Sequence, residues 1–166
     1  NIQKLTSLCY KKHNMNKKSL NVLNLKDGFK NNKKLHFNYC LFKNNLKDYK
    51  KNSFLVAVSG GSDSLALSAL AKAYQHETKV KIFYALIDHG IRRKSYQEAK
   101  SVKKILKVSN INLEILKNNK KINTNIQSKA REIRYKLLTD YCKKKKIKLI
   151  LSAHHKDDQV ETFLIR

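Results

Sequence analysis

Apolar and polar positions change their rhythm near residue 52. Beyond it, short apolar runs rich in β-branched residues alternate with longer segments of helical period. Ser53–Val58 reads as a buried strand. Asp63–Gln75 reads as a helix carrying Leu65, Leu67, Leu70 and Ala71, and Lys79–Ile87 as a second strand through Val80, Ile82, Phe83, Tyr84 and Leu86. Ser95–Val108 follows as a helix and Asn112–Leu116 as a short third strand. Thr124–Lys145 predicts a long helix, with Ile126, Ala130, Ile133, Leu137 and Tyr141 at helical spacing. Lys148–Ala153 is the fourth strand, and Asp157–Ile165 begins another helix. Strands and helices alternating at this spacing predict βαβ units. The expected fold is a doubly wound α/β domain, its sheet mostly parallel and its helices on both faces.

Residues 1–52 do not share this rhythm and are expected to form a basic lead-in, partly ordered or disordered, with the domain proper over 53–166. Leu35, Phe37, Tyr39 and Leu41 alternate as a short strand would. Leu41, Phe42, Leu46 and Tyr49 fit a short amphipathic helix instead.

In open α/β sheets ligands bind beyond the carboxyl ends of the strands, and three such ends carry unusual polar residues. After the first strand come Ser59, Gly60, Gly61, Ser62, Asp63 and Ser64. A strand, a glycine turn and a helix make a cup of backbone N–H groups aimed at an anion, with the helix dipole behind it. No lysine follows the glycines, so this is not a Walker loop. An acid inside a phosphate cup makes chemical sense if an oxygen-ligated cation such as Mg²⁺ lies between, with Asp63 as its ligand. After the second strand come Asp88-His89-Gly90-Ile91-Arg92, where Asp88 can reach a ribose hydroxyl or hold His89. Ordinary turn chemistry is the plainer reading. After the fourth come His154-His155-Lys156-Asp157-Asp158-Gln159 and Glu161. Acids in a first helical turn account for Asp157 and Asp158 but not for adjacent histidines. A zinc cluster is a weaker alternative, because the spacing is not that of H-E-x-x-H. Arg131 and Arg134, three apart on the long helix, suit phosphate contact more than a merely solvated face.

Composition modifies this picture in two ways. The chain has 166 residues, with 37 Lys+Arg against 12 Asp+Glu and a formal net charge of +25. That favours a polyanionic partner, nucleic acid before an anionic membrane. Much of the charge is lysine in a chain rich in asparagine and free of proline, a composition that base bias in the coding DNA also produces. Against that background the five arginines, at 92, 93, 131, 134 and 166, mark places where a planar guanidinium is wanted. Cys9, Cys40 and Cys142 are too scattered for a disulfide framework or zinc site and suit a reducing, cytoplasmic setting. No apolar run is long enough to span a bilayer. The only methionine is Met15, and the chain stops at Arg166 inside a helical pattern, so an incomplete protein is expected.

Ser59-Gly60-Gly61-Ser62-Asp63-Ser64 resembles the SGGxDS signature of the PP-loop (N-type) ATP pyrophosphatases. Asp88–Arg92, Ala130–Tyr135 and Ala153–Leu164, in this order and spacing, resemble the tRNA(Ile)-lysidine synthetases within that superfamily, over about Phe54–Arg166. The stretch from His154 is shared in part with tRNA 2-thiolation enzymes, but the DHGIR element and the lack of paired cysteines favour the former. The resemblance implies a ligase that consumes ATP with Mg²⁺. It would adenylate the wobble cytidine of the CAU-anticodon isoleucine tRNA at its C2 oxygen, then let L-lysine displace AMP. It implies that Ser59–Ser64 hold phosphates and Asp63 the metal. His89 or His154, with Asp157 and Asp158, would organise the cytidine and the second step, while Arg131 and Arg134 meet phosphates of ATP or RNA. Such enzymes carry further C-terminal domains, so this stretch alone is expected to modify tRNA poorly. Pairing with a second copy is left open. A thiolase of the same superfamily, or a non-catalytic basic domain that binds RNA, are the alternatives.

Overall fold

The computed structural model describes residues 31–49, 52–91, 93–118 and 126–153. Four strands form one parallel sheet: β1 (Phe54–Val58), β2 (Ile82–Asp88), β3 (Leu113–Lys117) and β4 (Leu149–Ser152), in the order β3-β2-β1-β4. Four α-helices accompany them: α1 (Lys33–Asn45), α2 (Ser62–Thr78), α3 (Ser95–Val108) and α4 (Ile126–Lys145). The predicted α/β architecture is therefore present, with ends shifted by a few residues. The expected helix from Asp157 lies outside the described residues.

Alternation along β1 sorts the core into two layers. Phe54, Val56 and Val58 face α1, α2 and α3, together with Ile82, Tyr84 and Leu86 of β2 and Leu113 of β3. Leu55 and Ala85 face the other way, against Leu138, Tyr141 and Cys142 of α4 and against Ile147. Phe54, Leu55 and Val56 are wholly buried, as a central parallel strand covered on both faces should be. Helix α2 lies close to the sheet because Ala66, Ala69, Ala71 and Ala73 keep its inner face small. It ends at Lys79 in the left-handed region (φ 62°), whose N–H closes on Gln75 O at 2.9 Å. That cap is why β2 starts at Ile82 instead of Lys79.

Residues 35–41 are not a strand. Asn32 caps a helix, its side chain accepting from the N–H groups of Lys34 and Leu35, both at 3.2 Å. Leu35, Tyr39, Phe42 and Leu46 then recur at helical spacing and pack on the main core, while Phe37 and Leu41 stay exposed. The apparent alternation was a subset of a helical stripe, since Leu35 and Tyr39 fit both periods. Tyr39 Oη donates to Glu77 Oε2 of α2 at 2.7 Å, and Lys43 pairs with the same carboxylate, pinning α1 to α2.

Helix α4 also differs in phase from expectation. Its buried stripe is Ala130, Leu138, Tyr141 and Cys142, with Ile133 and Leu137 only half-buried. Arg134, four residues from both Ala130 and Leu138, sits on that inward stripe rather than beside it.

Two substitutions test this packing. Gly60 has φ 88°, and a Cβ there would meet Val102 Cγ2 of α3 at 2.8 Å. Gly60→Ala should cost about 1–3 kcal/mol, read as a lowered Tm at roughly 2–4 °C per kcal/mol. An unchanged Tm would mean that the turn relaxes freely. The Tyr84 hydroxyl is buried without a hydrogen-bond partner among the described residues, and burial alone pushes its pKa up. Tyr84→Phe should therefore be neutral or stabilising by up to ~1 kcal/mol in denaturant titration, and a clear loss would reveal a partner for that hydroxyl.

Candidate functional site

The strand order places the site. β2 and β3 build outward from one side of β1 and β4 lies on its other side, so connections diverge at the carboxyl end of β1. A cleft of about 830 Å³ opens there, walled by Ser95, Glu98 and Val102 of α3 and by Gln127, Ala130, Arg131 and Arg134 of α4, with Ser59, Asp88 and His89 at its floor. A recess of about 120 Å³ adjoins it, sharing Ser59, His89 and Arg134 and adding Ser64, Ser152 and Ala153. The ends of β1 and β2 thus meet here and Ser152 and Ala153 of the β4 end border the recess, while the polar cluster expected from His154 lies outside the described residues.

The turn after β1 is held largely by its own residues. Ser64 Oγ donates to Gly61 O at 2.9 Å and accepts from Gly60 N–H at 3.1 Å and from Ser59 Oγ at 3.2 Å. Ser64 is 3% exposed, so its hydroxyl organises the turn from beneath. Gly61 takes the N-cap of α2 with extended backbone (φ −72°, ψ 163°) and supplies no capping side chain. The first turn of α2 is therefore left without side-chain cover from its cap, the condition for anion capture. Asp63 stands in that first turn with Ser62 Oγ donating to it at 3.3 Å. Gly60, Gly61, Ser62 and Asp63 flank the cleft at the loop without lining it.

Asp88 is tied down at the end of β2. Its Oδ1 accepts from Ser95 Oγ at 2.7 Å and from Gly90 N–H at 3.1 Å, with Gly90 at φ 67° making the turn. Asn118, just past β3, donates its backbone N–H to Asp88 O at 2.9 Å and its side-chain amide to His89 O at 3.2 Å. The floor is thereby stitched to β3. His89 is half-buried and its Nδ1 is enclosed without a hydrogen-bond partner among the described residues. Burial lowers its pKa below the ordinary histidine value, the positive charge of Arg134 lowers it further, and Asp88 opposes them. A neutral imidazole with a free ring nitrogen is the expected state at neutral pH.

Two arginines on one wall, backbone donors at a helix N-terminus and a neutral histidine can grip and polarise a polyphosphate. Among the described residues no cluster of three or more His, Cys, Asp or Glu could cage a metal. Asp63 beside a serine hydroxyl offers hard oxygen ligands of the kind Mg²⁺ takes when phosphates and water supply the remainder. Of the expected residues, Ser59, Asp88, His89, Arg131 and Arg134 share the cleft and Ser64 the recess. His154, Asp157 and Asp158 lie outside the described residues. Ser95 and Glu98 were not anticipated. Their S-x-x-E spacing imitates a helix capping box, but Lys94 holds the N-cap and the Ser95 hydroxyl is turned to Asp88. Gln127 was also missed, because an exposed amide in a helix's first turn carries no signal of its own.

Among the described residues no helix is long and apolar enough to cross a membrane. A model of the PP-loop domain matches residues 33–166, taking in α1 as well as the sheet. The chain is similar to a protein of Wolbachia pipientis wMel named tRNA(Ile)-lysidine synthase, 42% identical over 131 residues, which are 76% of this chain and 30% of that protein. Proteins of the same name from Orientia tsutsugamushi (strain Boryong) and Rickettsia rickettsii (strain Sheila Smith) are 39% and 36% identical, over 80% and 74% of this chain and 30% and 26% of theirs. The chain thus spans about 30% of the length of these relatives, or less. With the turn, the strand order and the match in agreement, the chain belongs to the PP-loop family.

Proposed function

We propose that this chain is the ATP-using portion of a ligase that joins L-lysine to C2 of the wobble cytidine in the CAU-anticodon isoleucine tRNA. The observation that carries the reading is the cleft itself. It brings Ser59, Asp88, His89, Arg131 and Arg134 together at the carboxyl end of a parallel sheet, in a PP-loop chain similar to proteins named tRNA(Ile)-lysidine synthase.

The chemistry divides into two displacements. The C2 oxygen of cytidine attacks the α-phosphorus of ATP, a phosphorus–oxygen bond forms, and the bond to the bridging oxygen breaks to release pyrophosphate. The lysine amine then attacks C2, the C2–O bond breaks, AMP leaves with that electron pair, and the amine gives up a proton. The first step requires positioning and charge neutralisation more than covalent help from the protein. Arg131 and Arg134 answer the charge gathering on pyrophosphate, while the first turn of α2 receives a phosphate. A Mg²⁺ ion held by Asp63 would neutralise phosphate charge when bound. Asp88, fixed by Ser95 and Gly90, orients the β2 turn and reaches a ribose hydroxyl. His89, held neutral by burial and by Arg134, accepts the proton in the second step. His154, Asp157 and Asp158 complete the cytidine and lysine sites in this proposal.

Pyrophosphate release with ATP, lysine and the cognate tRNA on the full chain tests the reading. AMP formation that depends on lysine is expected, and release that ignores lysine but needs a sulfur donor would overturn it. Asp63→Asn should lower adenylation at least ~100-fold with the circular dichroism spectrum unchanged, and parent-like activity would remove Asp63 from the site.

The histidine gives a pH signature. Because its pKa is lowered, His89 stays neutral above the ordinary histidine value of about 6.5 and gains a proton only below it. The acid limb of kcat/KM should accordingly fall below pH about 6.5 and vanish from the profile of His89→Gln. A limb centred above that value, or one kept by the variant, would assign the proton transfer elsewhere.

A further inference from the structure

The function proposed above requires RNA to approach the cleft, and one cluster at its rim has a shape that neither the fold nor the ATP site explains. Tyr96 follows Ser95 of the cleft wall and is 38% exposed. Two ammonium groups converge on its ring. Lys117 Nζ lies 4.0 Å from the ring centroid and Lys100 Nζ 4.5 Å. They come from different elements. Lys100 is one turn along α3, whereas Lys117 ends β3 opposite Asp88 in the register, at the same edge of the sheet as the cleft. Asn118 next to it is already bonded to the Asp88 and His89 backbone.

Two like charges gathered on one ring repel each other. The ring's negative face offsets part of that, and such contacts are attractive even at exposed positions. Neither lysine has a carboxylate partner among the described residues, where the one ion pair is Lys43 with Glu77. An exposed pair of uncompensated cations, held in place by an aromatic ring instead of an acid, is suited to receive anionic groups that bring their own negative charge. A strand of phosphates does this and releases counterions in doing so. Along α3 the same face continues as Lys103 and Lys107, spaced i+7 and i+11 from Tyr96, all exposed. That face is cationic, without the apolar stripe that a helix lying in a membrane surface would bury.

We infer that Tyr96, Lys100 and Lys117 form a grip for the phosphodiester backbone of the RNA strand whose nucleotide enters the cleft. It rests on the reading of the substrate as RNA and adds where that strand crosses the protein. The triphosphate is assigned to Arg131 and Arg134 in the cleft and to the turn after β1 that flanks it, and Tyr96, Lys100 and Lys117 do not line the cleft.

The test is binding of the CAU-anticodon isoleucine tRNA to the full chain across a salt series, by fluorescence anisotropy, alongside ATP binding. Lys100→Ala and Lys117→Ala should each reduce the slope of log affinity against log salt by about 0.7–0.9, and together by about twice that. Tyr96→Phe should keep parent affinity, since the ring does the holding, and Tyr96→Leu should weaken binding towards that of the double lysine variant. Lys144→Ala, in the lysine run that ends α4, serves as the control and should leave the slope unchanged. ATP affinity should stay at the parent value throughout. The inference is overturned if the two lysine variants behave like Lys144→Ala, or if they lose ATP and RNA binding together. Losses seen only with vesicles of anionic phospholipid would overturn it as well. Lysine-dependent AMP formation with unaltered salt slopes would sink the grip and leave the ligase standing. Altered slopes in a chain that forms no AMP would do the reverse.

Discussion

The turn between β1 and α2 is the constraint on which the rest of the site depends. Gly60 takes a left-handed conformation with no room for a side chain, because Val102 of α3 already fills the space where a Cβ would stand. The Val102 side chain on the wall of the cleft thus packs closely against the turn after β1, which only a residue without a Cβ permits. Ser64 holds the turn from below, its Oγ accepting hydrogen bonds from Gly60 N–H and Ser59 Oγ and donating one to Gly61 O. A turn that satisfies its own polar groups in this way holds its shape before any ligand arrives. Preorganised donors cost no rearrangement when charge develops, which is why such a turn is useful to phosphoryl chemistry.

Charge on the opposite wall follows from the phase of one helix. Arg134 belongs to the stripe of α4 that packs inward, between Ala130 and Leu138, at the level where the strands end. It borders the cleft and the recess and also a mainly apolar groove of about 510 Å³ running along α4 to β4. Placed there, its guanidinium helps keep His89 neutral. Arg134 thus brings positive charge to the cleft and discourages a second positive charge on its neighbour. Lysine could carry the charge, but not the planar fork that meets two oxygens at once. In a chain whose default cation is lysine, that is a physical reason for arginine here.

What could be read in advance divides along the same lines. The strands were legible because a buried parallel strand is apolar along its length, as β1 is throughout and β2 is up to Asp88. The turn after β1 was legible as a turn because glycines and small hydroxyls between a strand and a helix break both patterns. The nearness of Ser59 to Asp88 and His89 was legible from topology, since strand ends at one edge of a sheet are neighbours whatever lies between them. Helix phase was harder. Ile133 and Leu137 match the helical period as well as Leu138 and Cys142 do, and only the packing against Leu55 and Ala85 separates the two choices. Helix α1 was hidden for a related reason, because Leu35 and Tyr39 satisfy both periods and the decisive Asn32 cap is a single residue. Ser95 and Glu98 have the spacing of a capping box, a local motif, and nothing in that spacing tells that the serine hydroxyl turns to Asp88.

Misread local patterns share a cause, which is that a side chain with two available partners follows tertiary geometry. Ser95 leaves its own helix for Asp88. Glu77 serves Tyr39 and Lys43 of another helix. Tyr141 Oη donates to Glu114 of β3 at 2.7 Å, from the last turns of α4. The Glu77 and Tyr141 links join elements distant in sequence, whereas the Ser95–Asp88 bond ties the end of β2 to the helix that follows it, and in all three the hydrogen bond is partly shielded from water. Links of this kind add little to the driving force for folding compared with burial of Phe54, Leu55 and Val56. Their effect is to select one alignment among several that the apolar core would accept. In the cleft that selectivity has a chemical consequence, because the Ser95–Asp88 bond aligns the wall of α3 with the end of β2 and so sets where Glu98, Tyr96 and His89 stand relative to the two arginines.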